Sequence, residues 1–429
     1  MITTSRDPDR TVMVSGIGAI LPGVQDTTEL WDVLRHGRSQ CGWLTRCDPR
    51  ETGVPFAAEV DHESCRRQLR DLDDAKAAKL SREMLAVLAA VKQAQTDAGR
   101  SDIDTDPQRI AVLGASSRGP LETWHSVLFP EAGSSPPGAS RILRGLPGAP
   151  AAMAAINLGF RGMVTTFGSA CVSGHHALEL GLGLLWSATA DVVFVVGHEF
   201  PLVPWMIREW ASAGDGVVAK SGTDPTRVVK PYDERRGGFI LGEGAVALCL
   251  ERAIDVRRRG AGGYATVLDV RNRSEAAHPT SMDSSGKAAA DLLGDLLDAV
   301  GRQPEEVGYI CGHGTATRLN DVAESRAVMR LCQALPRSQW PPLGSVKPIF
   351  GHLMGAASLV NLAATALMVR HQRLVPTINC DRPDPACDLD HVAEGSRSVS
   401  IDLALSMCFA LGSQMSAVAL GSADATAPT

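Results

Sequence analysis

The side chains of this 429-residue chain that could support covalent chemistry begin with Cys171, in the run GSACVSG. Small residues on both sides leave room for an acyl carbonyl to approach the sulfur. Residues 176–185 are apolar nearly all round, which reads as a buried helix. The thiol therefore falls at or near a helix N-terminus, where free N–H groups and the helix dipole favour a thiolate. A core cysteine has the same look, and burial is the commoner use of a free thiol. Two other runs offer partners: HGTATRLND, residues 313–321, and SVKPIFGHLMGAAS, residues 345–358. They contribute His313, Lys347 and His352, and a hairpin around Leu411 and Gly412 completes the set. Taken singly, a histidine at a strand end is usually a structural hydrogen-bonder and a lysine a solvated surface charge.

The elements that must position these groups alternate between strands and helices. Strands are expected over residues 11–20, 109–114, 191–197 and 245–251, with a short helix at 29–37 and another around 205–213. Loop is expected from 42 to 60. A single helix is expected over 75–98, stopped by Gly99. Recurrent Pro and Gly predict loops, with any helix short, between 117 and 150. The second half repeats the rhythm: strand 265–271, helix 286–300, strand 307–311 delivering His313, helix 321–332, buried helix 355–368 and an apolar hairpin at 404–421. A buried, small-residue helix follows Cys171 and another follows His352, which suggests internal duplication. The boundary falls near 255, giving units 1–255 and 256–429.

Composition bounds the function. Hydrophobic residues make up 44% and charged residues 21%, ordinary for a soluble globular protein. A net charge of −6 gives no reason to expect nucleic acid. Ten cysteines without paired spacing suggest neither a disulfide framework nor a zinc site, and no metal is expected. No apolar stretch has membrane-spanning length, and the opening MITTSRDPDRTVMVSG lacks a signal-peptide core, so a cytoplasmic α/β protein is expected.

Together GSACVSG, PYDERRGGFILGEGAVALCLE, HGTATRLNDVAE and SVKPIFGHLMGAAS resemble, in order and spacing, the signatures of β-ketoacyl-acyl carrier protein synthases. These are the condensing ketosynthases of fatty-acid and polyketide synthesis. The resemblance implies a thiolase fold, two mirrored α/β halves in five αβαβα layers. It implies that Cys171 takes an acyl chain as a thioester from the phosphopantetheine arm of an acyl carrier protein, with no cofactor bound. His313 and His352 would assist malonyl decarboxylation and stabilise the enolate. Lys347 and Glu324 match a buried ion pair, with Thr315 and Thr317 in support. The backbone N–H groups of Cys171 and Leu411 fall at the oxyanion hole, and Leu411 at the gate. Lys76, Lys79 and Arg82 fall near the carrier-docking helix, where a solvated helix face is the plainer reading. A homodimer, or a heterodimer with a related subunit, is the expected assembly.

The closing hairpin departs from the family's FGFGGQN-like pattern. Leu411 replaces the gate phenylalanine, Met415 an asparagine, and Ala410 and Ser413 two glycines. Arg318 stands where proline is common, and Val172 and His175 replace smaller or more polar residues. Cβ atoms at two tight hairpin positions should stiffen the loop or force repacking. The implied activity is decarboxylative condensation in a type II polyketide or specialised fatty-acid pathway. The alternatives are a related acyltransferase or hydrolase without elongation, and a non-catalytic chain-length partner subunit, which Cys171 argues against.

Overall fold

The computed structural model describes residues 11–100, 105–130, 139–280 and 282–423. Strand β1 (Val12–Ile20) is buried at every position, as a non-alternating run of apolar and small residues requires. Helix α1 (Thr27–His36) follows, capped by Asp26 and stopped by Gly37 at φ 59°. The first half continues with α2 (Arg82–Asp97), β2 (Ile110–Ala115), α3 (Leu121–Leu128), α4 (Ala149–Leu158) and β3 (Val164–Phe167). It closes with α5 (Ser173–Trp186), β4 (Val192–Glu199) and β5 (Gly244–Arg252). The second half comprises β6 (Ala265–Ser274), α6 (Lys287–Val300), β7 (Tyr309–Cys311), α7 (Arg318–Leu331) and β8 (Leu343–Gly344). Helix α8 (Ala357–His371) and the hairpin β9 (Leu403–Ala410) and β10 (Gln414–Ser422) complete it.

The strands form a mixed sheet in the order β8-β7-β9-β10-β6-β1-β5-β4-β2-β3. Counted within each half, both runs read third, second, fourth, fifth, first. The pairing senses repeat as well. The second strand is parallel to the third and fourth in each half, and the remaining pairs are antiparallel. The halves join through antiparallel β1 and β6, with Val12 opposite Val267. Helix α2 covers β1 and β5 on one outer side, and α6 covers β6 and β10 on the other. Helices α5 and α8 pack on each other between the two half-sheets. This is the five-layer α/β arrangement expected from the sequence.

The central layer explains the glycine and alanine content. Every residue of α8 from Ala357 to Val369 is buried. A Cβ on Gly174 would stand 2.6 Å from Leu359 Cγ and Ser358 Oγ, so only glycine lets the two helices approach this closely. Helix α5 is less enclosed than its composition suggests, because Glu179 is exposed. One other expectation changes. Residues 75–98 are not one helix: a short turn, Asp74–Ala77, precedes α2, because the Ser81 side chain caps α2 by accepting from Met84 N at 3.2 Å. Between 117 and 150, α3 is a short helix of two turns, within the expectation. No described helix is long and apolar enough to cross a membrane.

Candidate active site

The chain reaches Cys171 through a sharp bend. Ala170 has φ 49°, a left-handed conformation that costs a non-glycine residue about 1–2 kcal/mol. The Ser173 hydroxyl braces it, accepting from Ser169 N at 2.8 Å and donating to Ala170 O at 2.7 Å. Cys171 then lies in a 3-10 turn immediately before α5. His352 stands just before a second bend, where Met354 at φ 41° leads into α8. His313 follows β7, and its loop is held from two sides. Glu324 accepts from the backbone N–H of His313 and Gly314, both at 2.7 Å, while Asn361 Nδ2 donates to Gly312 O at 3.0 Å.

These bends bring the three groups together. Cys171 Sγ is 3.4 Å from His352 Nε2. One ligating atom each from Cys171, His313 and His352 all lie within 4.8 Å of one another. The imidazole rings are edge to face with centroids 5.3 Å apart. The surrounding donors assign their tautomers. Met354 N donates to His352 Nδ1 at 3.3 Å. His313 Nδ1 faces Cys408 Sγ at 3.3 Å and Lys347 Nζ at 3.5 Å. Both Nδ1 atoms are therefore acceptors, which leaves the proton of each neutral ring on Nε2. Burial, followed by the charge of Lys347, holds both rings well below the ordinary histidine pKa, so they are neutral at pH 7. The three-atom spacing resembles a metal site, yet an Nε2–H cannot ligate. Moving either proton to Nδ1 would set it against a donor.

Three sequence expectations change here. Burial pushes the Cys171 thiol up to about 12, against a smaller lowering by Lys347. The helix N-terminus does not produce a resting thiolate. Lys347 and Glu324 do not join as an ion pair: Lys347 Nζ donates to His313 O, while Glu324 serves the amides of the same loop. They hold His313 from opposite sides. Arg82 is not free for docking, because its guanidinium turns inward to Glu243 at 2.6 Å and Glu122 at 3.5 Å. Lys76 and Lys79 are exposed, but they share their segment with Asp71, Asp73 and Asp74, so the patch is not basic.

Cys171 and both histidines open into a cavity of about 290 Å³. Its walls are largely apolar, including Trp210, Val217, Phe239, Met282 and Phe409. Thr315 and Thr317 line it and share a hydroxyl bond of 2.7 Å. The hairpin turn forms part of the rim, with Leu411 45% exposed. Ser413 accounts for the altered hairpin. It has φ 59°, and its hydroxyl accepts from His278 N at 3.0 Å and donates to His278 O at 2.7 Å. Glu275 N to Ser413 O at 2.8 Å and Gly412 N to Pro279 O at 2.7 Å complete the clasp. Ala410 is an ordinary last residue of β9, paired with Gln414. Stiffening therefore comes from Ser413 alone.

Two positioning residues escaped the sequence reading. Glu199, fully buried, accepts from Ser117 N at 2.7 Å and Gly355 N at 2.9 Å, bracing the bend after His352. A carboxylate ending the apolar run VVFVVGHE was the signal available. Cys408 sits against His313, and nothing in its neighbourhood of sequence marks it.

The family description "Beta-ketoacyl synthase, N-terminal domain" matches residues 9–255, and "Beta-ketoacyl synthase, C-terminal domain" matches residues 264–381. The chain is 30% identical to the tetracenomycin polyketide synthase ketoacyl synthase alpha subunit of Streptomyces glaucescens, covering 97% of this chain and 98% of that protein. It is 31% identical to 3-oxoacyl-[acyl-carrier-protein] synthase 2 of Synechocystis sp., covering 94% and 95%. Among solved structures, the ishigamide ketosynthase/chain length factor superposes with a TM-score of 0.87 at 27% identity, covering 96% of this chain and 99% of that one. A type II polyketide synthase acyl-carrier protein in complex with its ketosynthase matches in fold, with a TM-score of 0.84 at 24% identity, covering 96% and 100%.

Proposed function

Because this chain belongs to the β-ketoacyl synthase family of acyl-transferring condensing enzymes, we propose that it is an elongating ketosynthase of a type II polyketide or specialised fatty-acid pathway. Its substrates in this reading arrive on the phosphopantetheine arm of an acyl carrier protein. The observation that carries it is the convergence of Cys171 with two neutral imidazoles at the floor of an apolar cavity. A chain-length subunit has no use for that trio.

In the first half-reaction the Cys171 sulfur bonds to the acyl carbon, the arm's C–S bond breaks, and the thiol proton passes to the departing arm. His352 Nε2–H, directed at the sulfur, stabilises the negative charge that a buried thiol with a raised pKa otherwise resists. The backbone N–H groups of Cys171 and Leu411 receive the thioester oxygen. In the second, the carboxyl C–C bond of a malonyl thioester breaks and carbon dioxide leaves. The electron pair moves to the thioester oxygen, where the Nε2–H groups of His313 and His352 stabilise it. The enolate carbon then attacks the acyl-Cys171 carbonyl, expels the sulfur and leaves a β-ketoacyl chain on the arm.

A second ketosynthase-like subunit, identical or related, completes the assembly. Strand β3 is the outermost strand, and exposed apolar side chains flank it, among them Met163 at 45% and Ile156 at 67%. An unpaired edge beside apolar surface calls for a cover. The test is mass spectrometry of Cys171 after incubation with an acyl carrier protein, followed by addition of malonyl carrier protein. Acylation and then a β-ketoacyl product support the reading. Acylation followed only by free acid makes the chain a hydrolase, and no adduct makes it a partner subunit.

A further inference from the structure

The rim of the cavity carries one cation that nothing in the site yet uses. Among the described residues lining the cavity, Arg318 is the only lysine or arginine. It is exposed, and its guanidinium has no hydrogen-bond or ion-pair partner among the described residues. Nearby arginines differ. Arg236 is buried and tied to Asp384 at 2.6 Å, while Arg118 stacks over Trp210 at 5.4 Å. Of the two carboxylates in the lining, Glu275 already accepts from Asp283 N at 3.1 Å, and Asp215 is exposed. Arg318 also keeps a fixed base, because Arg236 Nη2 donates to its carbonyl oxygen at 3.2 Å. Leu319, beside it, is 54% exposed on the same rim.

The cavity has two chemically different ends. Its floor holds the thiol and the histidines, its walls are largely apolar with the Thr315 and Thr317 hydroxyls among them, and its other charged and polar lining groups include Arg318, Asp215 and Glu275. A phosphopantetheine arm is built in the same sense. Its thioester must reach Cys171, two amides follow, and the phosphate at its protein end stays outside. We infer that Arg318 binds the phosphate of the carrier arm, fixing how deep the thioester sits and favouring phosphorylated over unphosphorylated acyl donors. The inference rests on the ketosynthase reading above and assigns a residue to its substrate. A guanidinium suits this task because its planar donors match phosphate oxygens in pairs. Proline at this place would offer neither charge nor donor.

The full chain is tested with one saturated acyl group on three donors: pantetheine, free phosphopantetheine and the carrier protein. The readout is kcat/KM for Cys171 acylation, followed by intact mass. The wild type should prefer the phosphopantetheine donor over the pantetheine donor by about tenfold, the worth of one charge-assisted contact. Arg318→Ala should bring that ratio close to one, and Arg318→Lys should restore part of it. A ratio equal in wild type and variant overturns the inference. So does a loss confined to the carrier-protein donor, which would assign Arg318 to carboxylates on the protein. Equal losses on all three donors make its role structural. If the wild type accepts none of them, the ketosynthase reading itself fails, a result distinct from every other.

Discussion

Cys171 and His352 meet beside matching bends, Cys171 just after the positive-φ residue of one and His352 just before that of the other. In each half the third strand, β3 or β8, leads to a residue with positive φ, Ala170 at 49° or Met354 at 41°. A 3-10 turn follows, Ala170–Val172 or Met354–Ala356, and then a central helix, α5 or α8. The bracing differs. Ser173 secures the first bend from within its own turn, whereas Glu199 secures the second from across the fold. Their loads differ too: one presents a nucleophile, the other an N–H donor. A duplicated frame therefore brings two unlike groups together, with strain at the first bend held by sequence-local bonds and at the second by a carboxylate from across the fold.

If the two bends divide the reaction, breaking each should have a different signature. Cys171→Ala should abolish acylation altogether, read as the absence of an acyl mass shift, since the nine other cysteines are separate free thiols outside this bend. Full acylation of that variant would remove the first bend from the mechanism. His352→Ala should instead leave measurable acylation while condensation falls on the order of a thousandfold, the cost of losing one preorganised donor. His313→Ala should follow the same pattern. Equal loss in both half-reactions would mean that the bends share one role.

Neutral histidines also leave a mark on stability. His175, His313 and His352 are buried with lowered pKa values, His175 to about 3. Below the unfolded value near 6.5 the unfolded chain binds protons that the folded chain does not. Stability is thus full above that pH and falls as pH drops through it, by at most about 1.4 kcal/mol per pH unit for each histidine. The buried carboxyls of Glu122, raised to about 7, and of Asp321 and Glu324, also raised by burial, work the opposite way, so the histidine contribution is read by comparing thermal melts of the wild type and His175→Gln from pH 8 to pH 5. Tm of the variant should fall less than that of the wild type below about pH 6.5, and identical slopes would mean that the His175 ring accepts a proton in place.

How much of this was legible depended on where the partners lay. Cys171, His313 and His352 each stand in a contiguous run of small residues, so motif and chemistry coincide. The alternation of strands and helices, and the recurrence of a small-residue helix, pointed to duplication, and the family resemblance implied the five layers. Contacts between distant segments were not legible. Arg82 meets Glu243 across 161 residues, and Ser413 meets His278 across 135. Arg82 read as a surface charge because its own neighbours are polar. The raised Cys171 thiol was missed for a related reason, since helix position is local while burial is a property of the whole fold.

The smallest effect expected lies at the rim. Leu411 lacks the rigid ring the family places there, and at 45% exposure it can repack at little cost. Ser413, by contrast, clasps the adjoining turn to His278 and fixes the backbone beneath it. Side-chain size, rather than loop swing, should therefore decide what passes. Leu411→Phe should reduce loading of wide acyl groups relative to slim ones by about threefold to tenfold, with slim groups loading as before. Ser413→Gly removes the two hydroxyl bonds of the clasp while easing a positive φ, so it should make the same ratio less selective without changing the width of the mouth at rest. Competition between paired carrier-protein substrates, read as the ratio of Cys171 adducts, separates the two variants. If neither shifts the ratio, selection occurs deeper, at Trp210 and Phe239, and the rim sets only the rate of passage.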